Sequence, residues 1–258
     1  MEIHDQMGRS ITITKPLNRI VSLVPSQTEL LVDLELENQL VGVTKFCVHP
    51  ESLREQKTIV GGTKQVHYDK IEALRPDIIL CNKEENTKEM VERLEKIAPV
   101  WVSDIKTIDD CLEMIDAFGD MFDKPQRAGE IRAAIKMELD SFKEFIKEKP
   151  TVKVIYLIWK NPWMAAGSST FINTLLKANH FENSVAHRDE RYPEITAKEL
   201  KKADLILLSS EPYPFKRKHI KELQQQLKDK KVLLVDGEYF SWYGSRLIKA
   251  FSYFRTLH

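Results

Sequence analysis

A cysteine and a histidine stand two positions apart in one short segment of the chain. Cys47 and His49 alternate within the run Phe46–Pro50, so on an extended backbone both side chains face one side. A thiolate and an imidazole are ligands that soft and borderline metal ions accept. We therefore predict Cys47 and His49 as metal ligands, although a structural zinc site takes four. A metal-dependent enzyme that uses these two side chains is one alternative function.

Aromatic side chains cluster in loops, where they are costly to leave in water. Trp159–Met164 carries two tryptophans, and Tyr239–Tyr243 has four aromatic residues in five positions with neither a helical nor a strand period. Flat aromatic surfaces line pockets for large planar ligands, whereas the alternative is that these loops pack on their own lobe. The predicted ligand contacts are Trp159, Trp163, Tyr192, Tyr239, Phe240 and Trp242. Glu238 and Arg246 could add polar recognition, or could pair with each other.

Small polar residues follow the first compact apolar run, Ile20–Val24. Pro25, Ser26 and Gln27 come next, where backbone N–H groups at a helix N-terminus can hold polar or anionic ligand groups. The spacing of Ser26 and Glu29 predicts a capping box. We predict Pro25, Ser26 and Gln27 as ligand-binding residues, with an ordinary capped helix as the alternative.

Composition excludes several classes of function. The 258 residues hold 39 basic and 39 acidic side chains, so the balanced charge gives no reason to expect a nucleic-acid partner. The chain lacks the glycine-rich nucleotide motifs, H-E-x-x-H and G-x-S-x-G. No apolar run approaches the ~20 residues that cross a bilayer. No leader peptide precedes the first strand, so we expect an extracytoplasmic location if a leader was removed and a cytoplasmic one if Met1 is the native start.

Short apolar strands alternate with helices along the chain, which indicates parallel sheets covered on both faces. Between Pro125 and Pro150 the pattern changes to one apolar stripe at helical spacing, which predicts a single helix of about 24 residues. We predict an α/β fold of two Rossmann-like lobes, residues 1–122 and 150–258, joined by a backbone helix at 123–149. Because ligands of open α/β sheets bind beyond the carboxyl ends of the strands, we expect a shared cleft.

The two halves also resemble each other. Lys70–Leu80 and Lys198–Leu208 each lead from a helix through a short turn into an apolar strand that an aspartate initiates. This weak internal repeat supports two lobes of similar construction.

The chain as a whole resembles the class III substrate-binding proteins of ABC importers. The similarity is carried by Asp5–Arg9, Arg19–Leu30, Leu40–Thr44 and Ile71–Leu80 and extends to the last helix. The resemblance implies a monomer that captures a metal chelate without catalysis or a catalytic cofactor, and that delivers it to a permease–ATPase complex.

Among the subfamilies, the cobalamin receptors are the most similar. Their ligand-contacting positions correspond to Pro25, Ser26, Gln27, Phe46, Trp159, Tyr192, Glu238, Tyr239 and Phe240. Two positions that carry tryptophan in such receptors are Thr63 and Asn82 here. The resemblance therefore implies cobalamin or a related corrinoid as the transported ligand. An iron chelate, either a ferric siderophore or haem, and a cytoplasmic binding or sensor protein of the same fold are the alternatives.

Receptors of this family dock on their permease through one acidic residue on each lobe. Asp69 matches the first position, and at the second position Glu199 stands beside Lys198. We therefore expect Asp69 and Glu199 to contact the permease.

Overall fold

The computed structural model describes all 258 residues, which form two compact α/β units. Unit 1 comprises Met1–Ile105, Asp109–Ile135 and Tyr243–Arg246, and unit 2 comprises Lys106–Ile108, Lys136–Trp242 and Leu247–His258. One unbroken helix, Pro125–Ile146, passes from unit 1 into unit 2. The predicted fold class, two Rossmann-like α/β lobes joined by one long helix, is confirmed.

Unit 1 is built on a five-stranded parallel sheet in the order β5-β4-β3-β6-β7. Its strands are β3 (Ile20–Ser22), β4 (Leu40–Val43), β5 (Thr58–Ile59), β6 (Ile78–Asn82) and β7 (Val100–Ser103). Its helices are α1 (Pro25–Asp33), α2 (Leu53–Gln56), α3 (Tyr68–Ala73), α4 (Lys88–Leu94) and α5 (Ile108–Met121), with a 3-10 turn at Glu37–Gln39. The strand order reverses between β3 and β6, which is the place where ligands bind in sheets of this kind.

Unit 2 repeats this construction around the parallel order β10-β8-β11-β12, with β9 antiparallel to β8. Its strands are β8 (Val152–Trp159), β9 (Met164–Ala165), β10 (Phe181–Asn183), β11 (Leu205–Ser209) and β12 (Lys231–Val235). Its helices are α7 (Phe171–Ala178), α8 (Ala197–Leu200), α9 (Arg217–Gln226), α10 (Glu238–Ser241) and α11 (Leu247–Arg255). Here the order reverses between β8 and β11.

The internal repeat has a structural counterpart. β6 and β11 each pair with the first strand of their own sheet, β3 and β8 respectively. All residues of β6 and of β11 are buried, as expected for parallel strands covered on both faces. The two similar sequence segments therefore occupy equivalent places in the two units.

The long helix, α6 (Pro125–Ile146), follows the predicted apolar stripe. Ala128, Ile131, Ile135, Phe142 and Ile146 are all buried, and proline at its first position is tolerated because that N–H needs no helical partner. No helix of the structure combines the length and the apolar character that crossing a membrane requires.

A β-hairpin, β1 (Glu2–His4) and β2 (Ser10–Thr12), lies at the start of the chain. Gly8 takes φ +72° in its turn, a conformation that glycine adopts without steric cost. The Asp5 carboxylate accepts hydrogen bonds from the backbone N–H groups of Met7 and Arg9, and these bonds close the loop.

The predicted capping box at α1 is wrong. The helix already begins at Pro25, with Val24 at the N-cap position and no side-chain cap, because the fixed φ of proline favours the first helical position. Ser26 and Glu29 thus lie inside the helix, and Glu29 pairs with Arg246 instead.

Candidate functional site

Polar side chains meet at the carboxyl ends of the unit 1 strands. Gln27 donates from Nε2 to Ser103 Oγ at 2.6 Å and to Tyr243 Oη at 3.2 Å. Asn82 donates to the same Ser103 hydroxyl at 2.8 Å. Gln27, Asn82 and Ser103 follow or end neighbouring strands around the point where the strand order reverses. The tertiary structure therefore assembles a buried polar network there.

The network is not fully satisfied. Gln27 is fully buried, and its carbonyl oxygen Oε1 has no hydrogen-bond partner in the structure. Burial also raises the pKa of Tyr243, despite hydrogen bonds that lower it from Ser103 and Gln27. Pro25 and Ser26, predicted with Gln27 as ligand contacts, are likewise buried.

Phe46 is the exposed aromatic residue of this edge, with 47% of its surface accessible. It follows β4, and the ammonium of Lys45 lies 5.1 Å from the centre of its ring. The ring of Phe46 is thus open to a ligand, whereas Pro25, Ser26 and Gln27 lie beneath the surface.

Arg246 belongs to the short segment Tyr243–Arg246, which lies in unit 1. Its Nε donates to Glu29 Oε2 at 2.8 Å, and both side chains are buried. The backbone N–H of Gly244 donates to the Cys111 thiol at 3.0 Å, and burial raises the pKa of that thiol to about 12. The structure therefore pairs Arg246 with Glu29, a partner that the sequence did not suggest.

Cys47 and His49 do not form a metal centre in this structure. Cys47 is fully buried, and its sulfur lies 3.1 Å from Thr28 Oγ1 and 3.3 Å from Thr44 Oγ1. Burial raises the pKa of its thiol and so disfavours the thiolate that would bind metal. No group of three or more histidine, cysteine, aspartate or glutamate side chains could hold a metal ion. The predicted metal ligation by Cys47 and His49 is therefore corrected to a packing role for Cys47.

The corresponding edge of unit 2 carries aromatic rings. Trp159 ends β8 with 42% of its surface accessible, and its ring lies edge-on to Tyr213 with centroids 5.6 Å apart. Trp163 is half-buried and stacks on Phe215 at 6.0 Å. Trp159 ends β8 and Tyr213 follows β11, and the strand order reverses between these two strands. Trp159 is thus exposed where the topology favours a ligand, and Trp163 packs on its own unit.

The aromatic turn after β12 divides between surface and core. Tyr239 is half-buried and stacks on Tyr253, with ring centroids 4.6 Å apart. Phe240 is fully buried and contacts the rings of Tyr156 and Phe254 at 5.0 and 4.7 Å. The prediction that Phe240 contacts ligand is corrected, because the turn of α10 directs this ring into the core.

Trp242 is also buried, at 7% exposure, and its indole N–H donates to Glu211 Oε1 at 3.2 Å. Glu238 is half-buried, and its backbone N–H donates to Asp236 Oδ1 at 3.1 Å. Burial raises the pKa of Glu211, and the charges of Glu238 and Asp236 raise it further. Glu211 and Tyr213 were not among the residues predicted from the sequence. The only signal in the sequence was their position two and four residues after the end of β11, in a segment without a recognisable motif.

Three further predicted positions lie on loops or helices. Tyr192 is half-buried, with the Arg191 guanidinium 5.9 Å from its ring centre. Asp69 is exposed in the first turn of α3. Glu199 is half-buried, completes a capping box with Thr196 and lies 3.3 Å from Arg188. The Glu199 carboxylate therefore has a structural role in α8.

The comparisons with known proteins agree with this architecture. Residues 20–233 match the family profile of the periplasmic binding proteins. The chain belongs to this family. Its two α/β lobes and single connecting helix place it in class III of these proteins.

Two relatives illustrate the range of this periplasmic binding protein family. An uncharacterized ABC transporter substrate-binding lipoprotein of Bacillus subtilis is 26% identical over 192 residues, covering 71% of this chain and 60% of that protein. The vitamin B12-binding protein of Vibrio campbellii is 22% identical over 186 residues, covering 72% of this chain and 67% of that protein. Both are named as binding proteins, not as enzymes.

Solved structures share the fold. The periplasmic vitamin B12 binding protein of Vibrio cholerae has a TM-score of 0.81 at 18% identity and covers 93% of this chain and 96% of its own. A periplasmic heme binding protein of Pseudomonas aeruginosa has a TM-score of 0.80 at 22% identity, with coverages of 94% and 92%. At such identity the likeness concerns the fold, which receptors for different ligands share.

Proposed function

We propose that this chain is the ligand-capture subunit of an ABC importer and that its ligand is a metal chelate, foremost a corrinoid such as cobalamin. The protein binds and releases this ligand without chemical change. The proposal rests on family membership and on aromatic rings exposed at the carboxyl ends of parallel strands.

The observation that carries the proposal is the exposure of Trp159. A tryptophan with 42% of its surface in solvent is costly unless a partner covers it, because its indole buries a large apolar area. Its neighbour Tyr213 adds a second ring, and the half-buried Tyr239 and Tyr192 are the further proposed contacts of unit 2. In unit 1, Phe46 offers a second exposed ring. Such surfaces fit the face of a large planar macrocycle.

A corrinoid is favoured because the curated relatives include vitamin B12-binding proteins. The alternative ligand is an iron chelate, either haem or a ferric siderophore, since a heme binding protein shares the fold as closely. Both ligands present an extended ring or chelate face to the same aromatic side chains.

The proposed partner is a permease–ATPase complex, which the exposed Asp69 would contact from unit 1. Glu199 is the proposed contact of unit 2, although its carboxylate also caps α8. An extracytoplasmic location follows from this role. The rival is a cytoplasmic binding or sensor protein, which would bind the same chelate and fail to stimulate a permease–ATPase complex reconstituted in vesicles.

The test is a titration of the purified protein with cyanocobalamin and with hemin, followed by calorimetry and absorbance. We expect saturable binding at one site per chain. Trp159→Ala and Phe46→Ala should each weaken it by about tenfold, the effect of losing one well-packed aromatic contact. Met137→Ala is the matched control, because Met137 is 65% exposed and belongs to α6 rather than to a strand end. Absence of saturable binding for both ligands contradicts the proposal.

A further inference from the structure

Glu211 is a half-buried carboxylate at the strand edge that carries Trp159. It lies two residues after the end of β11, beside the point where the unit 2 strand order reverses. Its Oε1 accepts hydrogen bonds from Ser241 Oγ at 2.5 Å and from the Trp242 indole at 3.2 Å. Both partners are uncharged, so the structure holds the carboxylate in place without neutralising it.

The backbone around Glu211 is fixed just as closely. Ser209 Oγ donates to the Glu211 carbonyl at 2.5 Å, and Tyr156 Oη donates to that serine at 3.0 Å. Gly237 packs so tightly that an added Cβ would collide with Ser209 Oγ and lie 2.6 Å from Glu211 Cγ. These contacts restrict the backbone of Glu211 and the space around its Cγ.

This arrangement costs stability. Burial of a carboxylate disfavours its charged form, and Asp236 and Glu238 add like charges nearby. A glutamine of the same shape would keep the acceptor oxygen for Ser241 and Trp242 without these penalties. A charged group that the fold keeps in surroundings that disfavour its ionised form is typical of a binding site.

Resting on the proposed function, we infer that Glu211 determines ligand specificity at this edge of unit 2. Its carboxylate accepts hydrogen bonds from N–H donors of an uncharged or cationic chelate and repels chelates that present carboxylates. An ionised carboxylate accepts hydrogen bonds and never donates them. Glu211 therefore discriminates between ligands by repelling their carboxylates as well as by attracting their N–H groups. A corrinoid with peripheral amides satisfies it, whereas the propionates of haem do not.

The experiment compares cyanocobalamin with dicyanocobyrinic acid, a corrinoid with peripheral carboxyl groups, and with hemin. Each is titrated at pH 7.5 into the wild-type protein and into E211Q. The matched control is D229N, which makes the same charge change at an exposed residue near the amino end of β12, the opposite edge of the sheet. Denaturant unfolding of each variant verifies folding.

We expect the wild-type protein to prefer cyanocobalamin and E211Q to lose at least about tenfold of this preference, with D229N unchanged. Wild-type affinity for cyanocobalamin should fall as the pH falls through the raised pKa of Glu211. In E211Q that dependence should shrink to what Asp236 and Glu238 contribute.

Two results overturn the inference alone: E211Q and D229N showing equal preference, or hemin or the cobyrinic acid binding the wild-type protein more tightly than cyanocobalamin. If the wild-type protein binds none of the three probes, the proposed function fails and the inference fails with it.

Discussion

Arg246 donates its Nε–H to Glu29 Oε2 across 2.8 Å, although the two residues stand 217 positions apart in the chain. Only 6% of the arginine side chain and 10% of the glutamate side chain are accessible. The pair therefore anchors the segment Tyr243–Arg246 within unit 1, where Tyr243 also joins the network of Gln27 and Ser103.

Removing one partner of this pair should be strongly destabilising. R246M leaves the Glu29 carboxylate buried without its counter-ion, which costs about 3–5 kcal/mol of unfolding free energy. The double variant E29L/R246M should recover most of that loss, because no charge is then left buried. Urea unfolding measures both. K143M, which removes the exposed pair with Asp140, should cost less than about 1 kcal/mol. Equal losses in R246M and K143M would contradict this account.

The Asp5 carboxylate should contribute more to the free energy of unfolding than its position in a terminal hairpin suggests. Its buried carboxylate accepts bonds from Arg9, from the N–H of Met7 and from the N–H of Val102 in the edge strand β7. D5A leaves these donors unsatisfied, so we expect a loss of at least about 2 kcal/mol in urea unfolding. E95Q removes the exposed partner of the same arginine and should change stability by less than about 1 kcal/mol. A near-neutral D5A would show that the hairpin contributes nothing to unit 1.

The three thiols should be inert in the folded protein. Cys47, Cys81 and Cys111 are all buried and unpaired, and burial raises each thiol pKa. Since the thiolate is the reactive form, a disulfide reagent at pH 8 should label no thiol in native buffer and all three in denaturant. Fast labelling of one thiol in native buffer, located by mass spectrometry, would show that its surroundings open readily.

Gly237→Ala should destabilise the protein through a steric clash. The backbone at Gly237 has an ordinary helical φ of −65°, so the cost comes from contact with Ser209 and Glu211. Overpacking of this kind typically costs about 1–3 kcal/mol. Gly129→Ala on α6 is the matched control, because nothing lies within 4 Å of its added Cβ. That variant should gain about 0.5–1 kcal/mol from helix propensity. A neutral G237A would show that this turn relaxes easily.

E211Q should stabilise the protein without ligand, and the gain should depend on pH. The folded-state pKa of Glu211 lies above its usual value, so its ionised form lowers the free energy of unfolding. This loss of stability is absent below the pKa that Glu211 has in the unfolded chain. The penalty grows as the pH rises and is complete above the folded-state pKa. The difference in urea midpoint between E211Q and wild type should therefore be largest near pH 8 and shrink towards pH 4. A difference that grows on acidification would contradict the raised pKa.

Much of the architecture was predictable because its signals are local. Apolar strands such as Asp77–Cys81 and the stripe from Ala128 to Ile146 carry their period in consecutive residues. The exposure of the side chains at the candidate site was less predictable. Trp159 and Phe46 are exposed at strand ends, but Phe240 and Trp242, drawn from one aromatic turn, are buried.

The sequence by itself determined the α/β alternation, the internal repeat and the long helix, because side-chain periodicity and proline positions act over a few residues. The tertiary structure alone decided which loop side chains are buried, that Arg246 pairs with Glu29, and that Glu211 is held between Ser241 and Trp242. The reason is physical: burial and pairing depend on which strand ends the sheet order brings together, and distant residues meet there without any pattern in the sequence between them.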